Sequence, residues 1–129
     1  TPSVMTNREA IIQNYIDGYN QFDIDQMVKD FDINIVFENI QNGETNLVLN
    51  GLSEFRQQAE TAKAYFSERT QTISTITHFE HTTEVDIQYV ATLGMDFPNG
   101  LQKGQLLELS GKSVFEFKGN TITKLTDIS

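Results

Sequence analysis

Residues 106–128, LLELSGKSVFEFKGNTITKLTDI, contain the pattern that decides the fold. Phe115 and Phe117 alternate with polar residues, as side chains do along a strand that is buried on one face only. Gly119 and Asn120 then interrupt the alternation with a pair of turn formers. The stretch therefore predicts two antiparallel strands joined by a tight turn, Leu106–Phe117 and Ile122–Ile128.

Two further strands are predicted upstream, because β-branched and aromatic residues alternate from Ile73 to Phe79 and from Val85 to Leu93. The breaks that separate these strands from each other and from the next are short. Short connections join antiparallel neighbours. The second half of the chain is therefore predicted to be a meander of four strands.

Two helices are predicted at the beginning of the chain. Thr6 and Glu9 have the spacing of a capping box, so the first helix is expected to start there. By the same capping logic, Asp23 opens a second helix over residues 24–31. Apolar residues of the first helix recur every three or four positions and form one buried stripe: Ile11, Ile12, Tyr15, Ile16 and Tyr19.

A hairpin and a third helix follow. Asn42 and Gly43 are the residues that a two-residue hairpin turn requires, and they predict paired strands over 33–41 and 45–49. Helical spacing then returns from Leu52 to Phe66. The order helix, helix, hairpin, helix and meander predicts an α+β fold and excludes an alternating parallel α/β fold.

Composition limits the possible partners. The chain has 129 residues, so one domain over residues 1–129 is expected. Eighteen acidic residues against nine basic ones give a net charge of -9, which argues against nucleic acid and membrane surfaces as partners. The absence of cysteine excludes disulfides and thiolate chemistry. No apolar run is long enough to cross a bilayer.

The cellular compartment is left open by the sequence. The chain begins with Thr1 rather than methionine, which is compatible with an export signal removed upstream. Residues 1–10 have neither the basic region nor the apolar stretch of a signal peptide. The default expectation is a cytoplasmic protein.

Three segments together resemble the nuclear transport factor 2-like superfamily, which includes ketosteroid isomerases and SnoaL-type polyketide cyclases. The resemblance implies a cone-shaped, cystatin-like fold, in which a curved and mostly antiparallel sheet of about six strands packs on three helices. It also implies a cavity open at one end and a homodimer formed through the sheet. The segments are Ile11–Ile16 with Asn20 and Asp23, Val36–Asn39, and Gly111–Phe117 followed by Ile122.

Ketosteroid isomerases place a tyrosine on the first helix, a base on the first strand and an aspartic acid on a late strand. Tyr15 matches the tyrosine, whereas Asn39 stands at the position of the base and Ser113 at that of the acid. An amide neither takes up nor releases a proton near neutral pH. The resemblance therefore implies that both of these carboxyl groups are absent, which argues against ketosteroid-type isomerisation.

Strand parity indicates which side chains point inward. Ile35 and Phe37 should face the helices, as should Phe115 and Phe117 on the late strand. Asn39 and Ser113 share these parities, so the same inward direction is expected for both polar side chains.

An apolar pocket with a few polar groups is the expected binding site. Each polar member also has a structural alternative, because a tyrosine can pack at the edge of a core and a buried amide can be a hydrogen-bond hub. The predicted pocket residues are Tyr15, Tyr19, Phe37, Asn39, Phe55, Phe66, Ser113 and Phe115.

Three residues are candidates for catalysis: Tyr15 as a hydrogen-bond donor, and His78 or Asp127 as a base. Asp127 lies in the region where SnoaL-type cyclases keep an acid/base carboxylate, but its register differs from that family's motif, which favours a solvated strand end. His78 and His81 flank a predicted turn, but an i, i+3 pair on extended chain does not converge on one ion. Neither a metal site nor a cofactor is expected.

Three functions remain open. The first is a pocket that binds a small apolar or aromatic molecule with a carbonyl group. The second is a cofactor-independent isomerase, cyclase or hydratase that acts on an enolisable polyketide- or steroid-like substrate. The third is a dimeric interaction module that uses the exposed sheet face. That outer face is expected to carry Ile40, Leu106 and Val114.

Overall fold

The structure, a computed structural model, describes residues 4–129. Its elements follow the predicted order of helix, helix, hairpin, helix and four strands. Among the described residues, no helix is long and apolar enough to cross a membrane. The elements are α1 Val4–Asn20, α2 Ile24–Met27, β1 Phe31–Gln41, β2 Glu44–Asn50, α3 Leu52–Lys63, β3 Phe66–His78, β4 Thr82–Leu93, β5 Leu106–Lys118 and β6 Thr121–Ile128.

The limits of α1 and α3 differ from their predictions. α1 already includes Val4, so the prediction that it starts at Thr6 is wrong. α3 ends at Lys63, because Phe66 is the first residue of β3 and pairs with β4. The strand that the sequence predicts from Ile73 therefore begins at Phe66, which the helical spacing places in α3.

α2 is shorter than predicted. Asp23 caps it as expected, since its carboxylate accepts a hydrogen bond from the backbone N of Gln26 at 3.1 Å. The helix nevertheless ends at Met27, and Phe31 belongs to β1, where its ring lies 4.9 Å from that of Phe55. The i, i+3, i+4 spacing that predicted a longer helix also suits one helical turn followed by a buried strand residue.

The first half of β3 lacks the usual strand pattern because its exposed and buried positions are both polar. Glu68 and Thr70 are exposed, whereas Arg69 is buried. Pairing with β4 holds the strand on one edge. On the helix side, the amide of Asn20 in α1 donates to the carbonyl of Gln71 at 3.1 Å and accepts from its N–H at 2.8 Å.

The six strands form one curved sheet in the order β2-β1-β6-β5-β4-β3. All neighbours are antiparallel except β1 and β6, which run parallel. The predicted hairpin and four-strand meander are thus confirmed. Register shifts at Asn39–Ile40 and Ile73–Thr75 are the kind of irregularity that bends a sheet.

The core lies between the helices and one face of the sheet. Ile35 and Phe115 are fully buried there, Phe117 is buried, and Phe37 packs against them with partial exposure. All four side chains were predicted to face the helices, and this prediction is confirmed. The face that they share also carries the side chains of the candidate site.

Candidate active site

An apolar cavity of about 350 Å³ lies between the helices and the sheet. Its walls come from all three helices, β1, β2 and the beginning of β3, with one residue from β6. The structure brings together most of the residues that the sequence singled out. Those that line the cavity are Tyr15, Tyr19, Phe37, Asn39, Phe55, Phe66 and Asp127.

Asp127 occupies the central strand of a row of three polar residues. On β6 it pairs in register with Asn39 of β1 on one side and with Ser113 of β5 on the other. The Ser113 hydroxyl donates a hydrogen bond to Oδ1 of Asp127 at 2.7 Å, while the amide of Asn39 donates to Asn46 at 2.8 Å. The row therefore contains one carboxyl group, on the strand between Asn39 and Ser113.

The environment of Asp127 favours its neutral form. The residue keeps some accessible surface, but its carboxyl group is enclosed, and this burial raises the pKa of Asp127 to about 6. The hydrogen bond from Ser113 acts in the opposite direction, because it stabilises the carboxylate. A carboxyl with this pKa can both accept and release a proton near neutral pH.

Tyr15 also lines this cavity, and its hydroxyl has no partner among the described side chains. Its ring is buried, 5.6 Å from Phe31 and 5.7 Å from Phe115 between ring centroids. Among residues 7–129, no side chain or backbone group forms a hydrogen bond with its hydroxyl. Burial raises the pKa of Tyr15 well above its usual range, and the charge of Asp127 raises it further. Tyr15 is therefore a neutral donor at any physiological pH.

A second cavity of about 230 Å³ adjoins the first and shares Tyr19, Asn39, Phe66 and Asp127 with it. Ser113 lines this second cavity rather than the first. Asp127 therefore lies on the wall of both cavities.

Two predicted site residues lie elsewhere. Phe115 is fully buried behind the Tyr15 ring and lines neither cavity. His78 ends β3, at the opposite end of that strand from Phe66. Its Nδ1 lies 2.9 Å from the hydroxyl of Thr83 and its Nε2 3.2 Å from a carboxylate oxygen of Glu9. The structure does not bring His78 to the cavity.

Arg69 is the site residue that the sequence analysis missed. It is 4% exposed and lines the larger cavity. The signal was present, since Arg69, Gln71 and Ile73 share one strand parity, but the strand was predicted to begin only at Ile73. No group of three or more potential metal ligands occurs among residues 4–129.

Comparisons with known proteins agree with this architecture. No family model matches the sequence, and no curated protein matches it. Among solved structures, a proposed polyketide cyclase of Xanthomonas campestris pv. campestris is similar over 98% of this chain and 93% of its own, with a TM-score of 0.82 and 17% identity. A proposed SnoaL-like polyketide cyclase of Jannaschia sp. CCS1 is similar over 95% of this chain and 84% of its own, with a TM-score of 0.77 and 11% identity.

An epoxide hydrolase of M. tuberculosis is also similar, over 95% of this chain and 82% of its own, with a TM-score of 0.75 and 14% identity. Identities this low establish the fold rather than an activity. The chain has the nuclear transport factor 2-like, cystatin-like fold, as the resemblance implied.

Proposed function

We propose that this protein is a cofactor-independent enzyme that moves a proton on a small carbonyl compound held in the apolar cavity. Asp127 is the acid and base, and Tyr15 donates a hydrogen bond to the carbonyl oxygen. The observation that carries the proposal is a carboxyl with a pKa of about 6 in the same apolar cavity as a tyrosine hydroxyl that no described residue engages.

The reaction begins when ionised Asp127 takes a proton from the carbon next to the carbonyl group. The electron pair of the broken C–H bond forms the C=C bond of an enolate, and negative charge develops on the carbonyl oxygen. Tyr15 stabilises this oxygen by a hydrogen bond that strengthens as the charge develops. If the substrate has a C=C bond next to the deprotonated carbon, the enolate is a dienolate, and return of the proton from Asp127 to its far carbon completes an isomerisation. If the substrate has a second carbonyl group, attack of the enolate carbon on it closes a ring, and the alkoxide that forms takes the proton from Asp127.

The position of Ser113 suits this role. Its hydroxyl donates a hydrogen bond to Oδ1 of Asp127. This bond orients the carboxyl group, and the other oxygen, Oδ2, can take the proton of the substrate. The same bond limits the rise in the pKa of Asp127 caused by burial, so that a substantial fraction is ionised at neutral pH.

Binding without turnover is the second candidate function. The hydrogen bond from Ser113 to Asp127 also fits a purely structural carboxyl that helps to join two neighbouring strands. A measurement of proton transfer separates this candidate from the enzymatic one.

The experiment uses 2-tetralone, a planar apolar ketone with acidic C–H bonds, as the probe. Protein and probe are mixed in D2O, and the exchange of the α-hydrogens is followed by NMR. The unmodified chain should accelerate the exchange, and Asp127→Asn should slow it by about a hundred- to ten-thousand-fold, because the amide cannot act as a base. Tyr15→Phe should slow it by roughly a hundredfold through loss of the donor.

His78→Gln provides the control, because His78 lies outside both cavities. This variant should exchange the probe at the unmodified rate. Exchange that survives Asp127→Asn would contradict the proposal, and exchange lost in His78→Gln would point to that histidine instead. Binding of the ketone without any accelerated exchange would favour the second candidate.

A further inference from the structure

Arg69 is a buried cation held in a fixed position. Its Nε donates a hydrogen bond to the backbone carbonyl of Tyr19 at 2.8 Å. The guanidinium carbon lies 3.7 Å from the ring centroid of Tyr19 and 4.3 Å from that of Phe22. Tyr19 lies at the end of α1 and Phe22 in the turn after it, whereas Arg69 lies on β3. The end of the helix therefore fixes the position of the Arg69 side chain.

The turn after α1 adopts an unusual backbone conformation where it contacts Arg69. Phe22 has a φ of 58°, a region that side chains with a Cβ seldom occupy and that costs about 1 kcal/mol or more. Its ring is thereby placed against the guanidinium. Stacking on aromatic rings suits arginine, whose planar cation is weakly hydrated.

No anion of the described chain neutralises Arg69. Among residues 4–129, no carboxylate forms an ion pair with it, and its Nη2 atom is buried with no hydrogen-bond partner. Asp127 lines the same cavity, but its pKa is raised, whereas an adjacent guanidinium would lower it. A buried cation without a counterion is costly, so proteins normally pair it.

We infer that Arg69 binds a carboxylate of the ligand, so that the molecule held in this cavity is a small apolar keto acid. This inference rests on the proposed function for the carbonyl end of the ligand, which meets Asp127 and Tyr15. The apolar body of the ligand packs on the aromatic side chains of the same cavity, Phe37, Phe55 and Phe66. In this proposal the carboxylate accepts a hydrogen bond from Nη2 of Arg69, the buried atom that has no hydrogen-bond partner among the described residues.

A carboxylate suits the site better than a phosphate. Arg69 is the one cationic side chain that lines the larger cavity among the described residues. Lys112 lines the adjoining cavity but forms an ion pair with Glu84 at 2.9 Å. The single cation Arg69 can balance one negative charge, whereas a phosphate dianion would bring a second charge that no described cation of the larger cavity offsets, in a chain whose net charge is already -9.

The test compares two probes that differ in charge and match in shape, 4-acetylbenzoate and 4-acetylbenzamide. Their affinities for the full chain are measured by isothermal titration calorimetry at pH 7.5. The carboxylate should bind at least tenfold more tightly than the amide. Arg69→Met should remove this preference and leave the affinity for the amide within about twofold, because methionine retains an apolar side chain of similar reach.

Arg69→Lys covers the case in which the methionine variant fails to fold, as judged by its circular dichroism. Lysine keeps the charge but lacks the planar fork, so the preference should fall without disappearing. Equal affinities of the two probes for the unmodified chain would overturn the inference, as would a preference that survives in Arg69→Met. Tighter binding of phenyl phosphate than of benzoate would overturn the choice of carboxylate.

Failure of this inference can be distinguished from failure of the proposed function. Ketone exchange that depends on Asp127, together with equal affinity for the two probes, would contradict the anion site and support the proposed enzyme. A tenfold preference for the carboxylate without any hydrogen exchange would support the anion site and contradict the proposed enzyme. Asp127→Asn should keep the preference, because the substitution removes a negative charge from the cavity.

Discussion

At the scale of single residues, the site depends on one carboxyl group kept in an unfavourable environment. The pKa of Asp127 is about 6 in the folded chain, against an ordinary value of 3.8. The folded protein therefore binds this proton more tightly than the unfolded chain does. The resulting stabilisation is fully present below about pH 4 and is lost as the pH rises through about 6.

Asp127→Asn should consequently raise the stability of the protein at high pH. A shift of about two pKa units corresponds to about 3 kcal/mol, and solvent that reaches the residue reduces this to about 2 kcal/mol. Urea unfolding should show the variant more stable by this amount at pH 8 and equal to the unmodified chain at pH 4. Asp25→Asn, at an exposed position, should change stability by less than about 0.5 kcal/mol at both pH values. An Asp127→Asn variant that is less stable than the unmodified chain at pH 8 would contradict the raised pKa of Asp127.

Asn39→Asp tests the row of polar residues across β1, β6 and β5. Asn39 pairs in register with Asp127, so the substitution places a second carboxyl beside the first. Two neighbouring carboxylates resist ionising together, and the higher apparent pKa of the pair should exceed that of the unmodified chain by about one unit. Carboxyl carbon NMR titration measures the shift. Asn50→Asp, on the exposed end of β2, should leave the titration of Asp127 unchanged.

At the scale of elements, the approach of α1 to α2 sets the position of the helix that carries Tyr15 and Tyr19. Gly18 lies at this contact, where an added Cβ would stand 2.8 Å from the backbone N of Met27 and 3.1 Å from the carbonyl oxygen of Asp23. Backbone atoms cannot move aside as a flexible side chain can. The glycine is therefore required by the close approach of the two elements.

Gly18→Ala should destabilise the protein although alanine is the better helix former. Helix propensity favours alanine by about 1 kcal/mol, but overpacking against a fixed backbone costs about 1 to 3 kcal/mol. We expect a net loss of about 1 kcal/mol in the free energy of unfolding, measured by urea denaturation. Ala10→Gly, at an exposed position of α1, reports the propensity alone and should cost about 1 kcal/mol. A more stable Gly18→Ala variant would show that the contact relaxes freely.

At the scale of the whole molecule, the sheet face away from the helices is the expected dimer surface. Leu106 is 56% exposed, and Val90 on the neighbouring strand is 43% exposed. Ile40 and Val114, also expected on this face, are half-buried. Exposed apolar side chains on adjacent strands are suited to a partner sheet.

We expect a homodimer in solution, with a mass twice the 14.6 kDa of one chain. Leu106→Asp should weaken it, because a charge buried in the interface has no partner. Multi-angle light scattering after size exclusion measures the mass. Ile33→Asp is the matched control, since Ile33 is 73% exposed and outside the set named for the dimer surface. A monomer at high concentration would contradict the expectation.

The sequence determined the number and order of the elements and the inward face of the strands. The alternation through Phe115 and Phe117 and the turn at Asn42–Gly43 are local patterns, and each depends on residues a few positions apart. Tyr15 and Asp127 became candidates through the resemblance to ketosteroid isomerases and SnoaL-type cyclases rather than through a local pattern. Arg69 shares the strand parity of Ile73, but this signal was too weak to be used, because the beginning of β3 is polar on both faces and is held as a strand by its pairing with β4 and with Asn20.

The tertiary structure alone decided how the candidates meet. β1 and β6 are far apart in sequence, and their parallel pairing brings Asp127 between Asn39 and Ser113. This pairing depends on the free energy of the complete sheet, which no window of sequence contains. The burial that shifts the pKa of Asp127 likewise arises from side chains of several elements at once. The sequence supplied the chemical groups, and the packing of distant strands and helices gave them a common cavity because burial is a property of the whole fold.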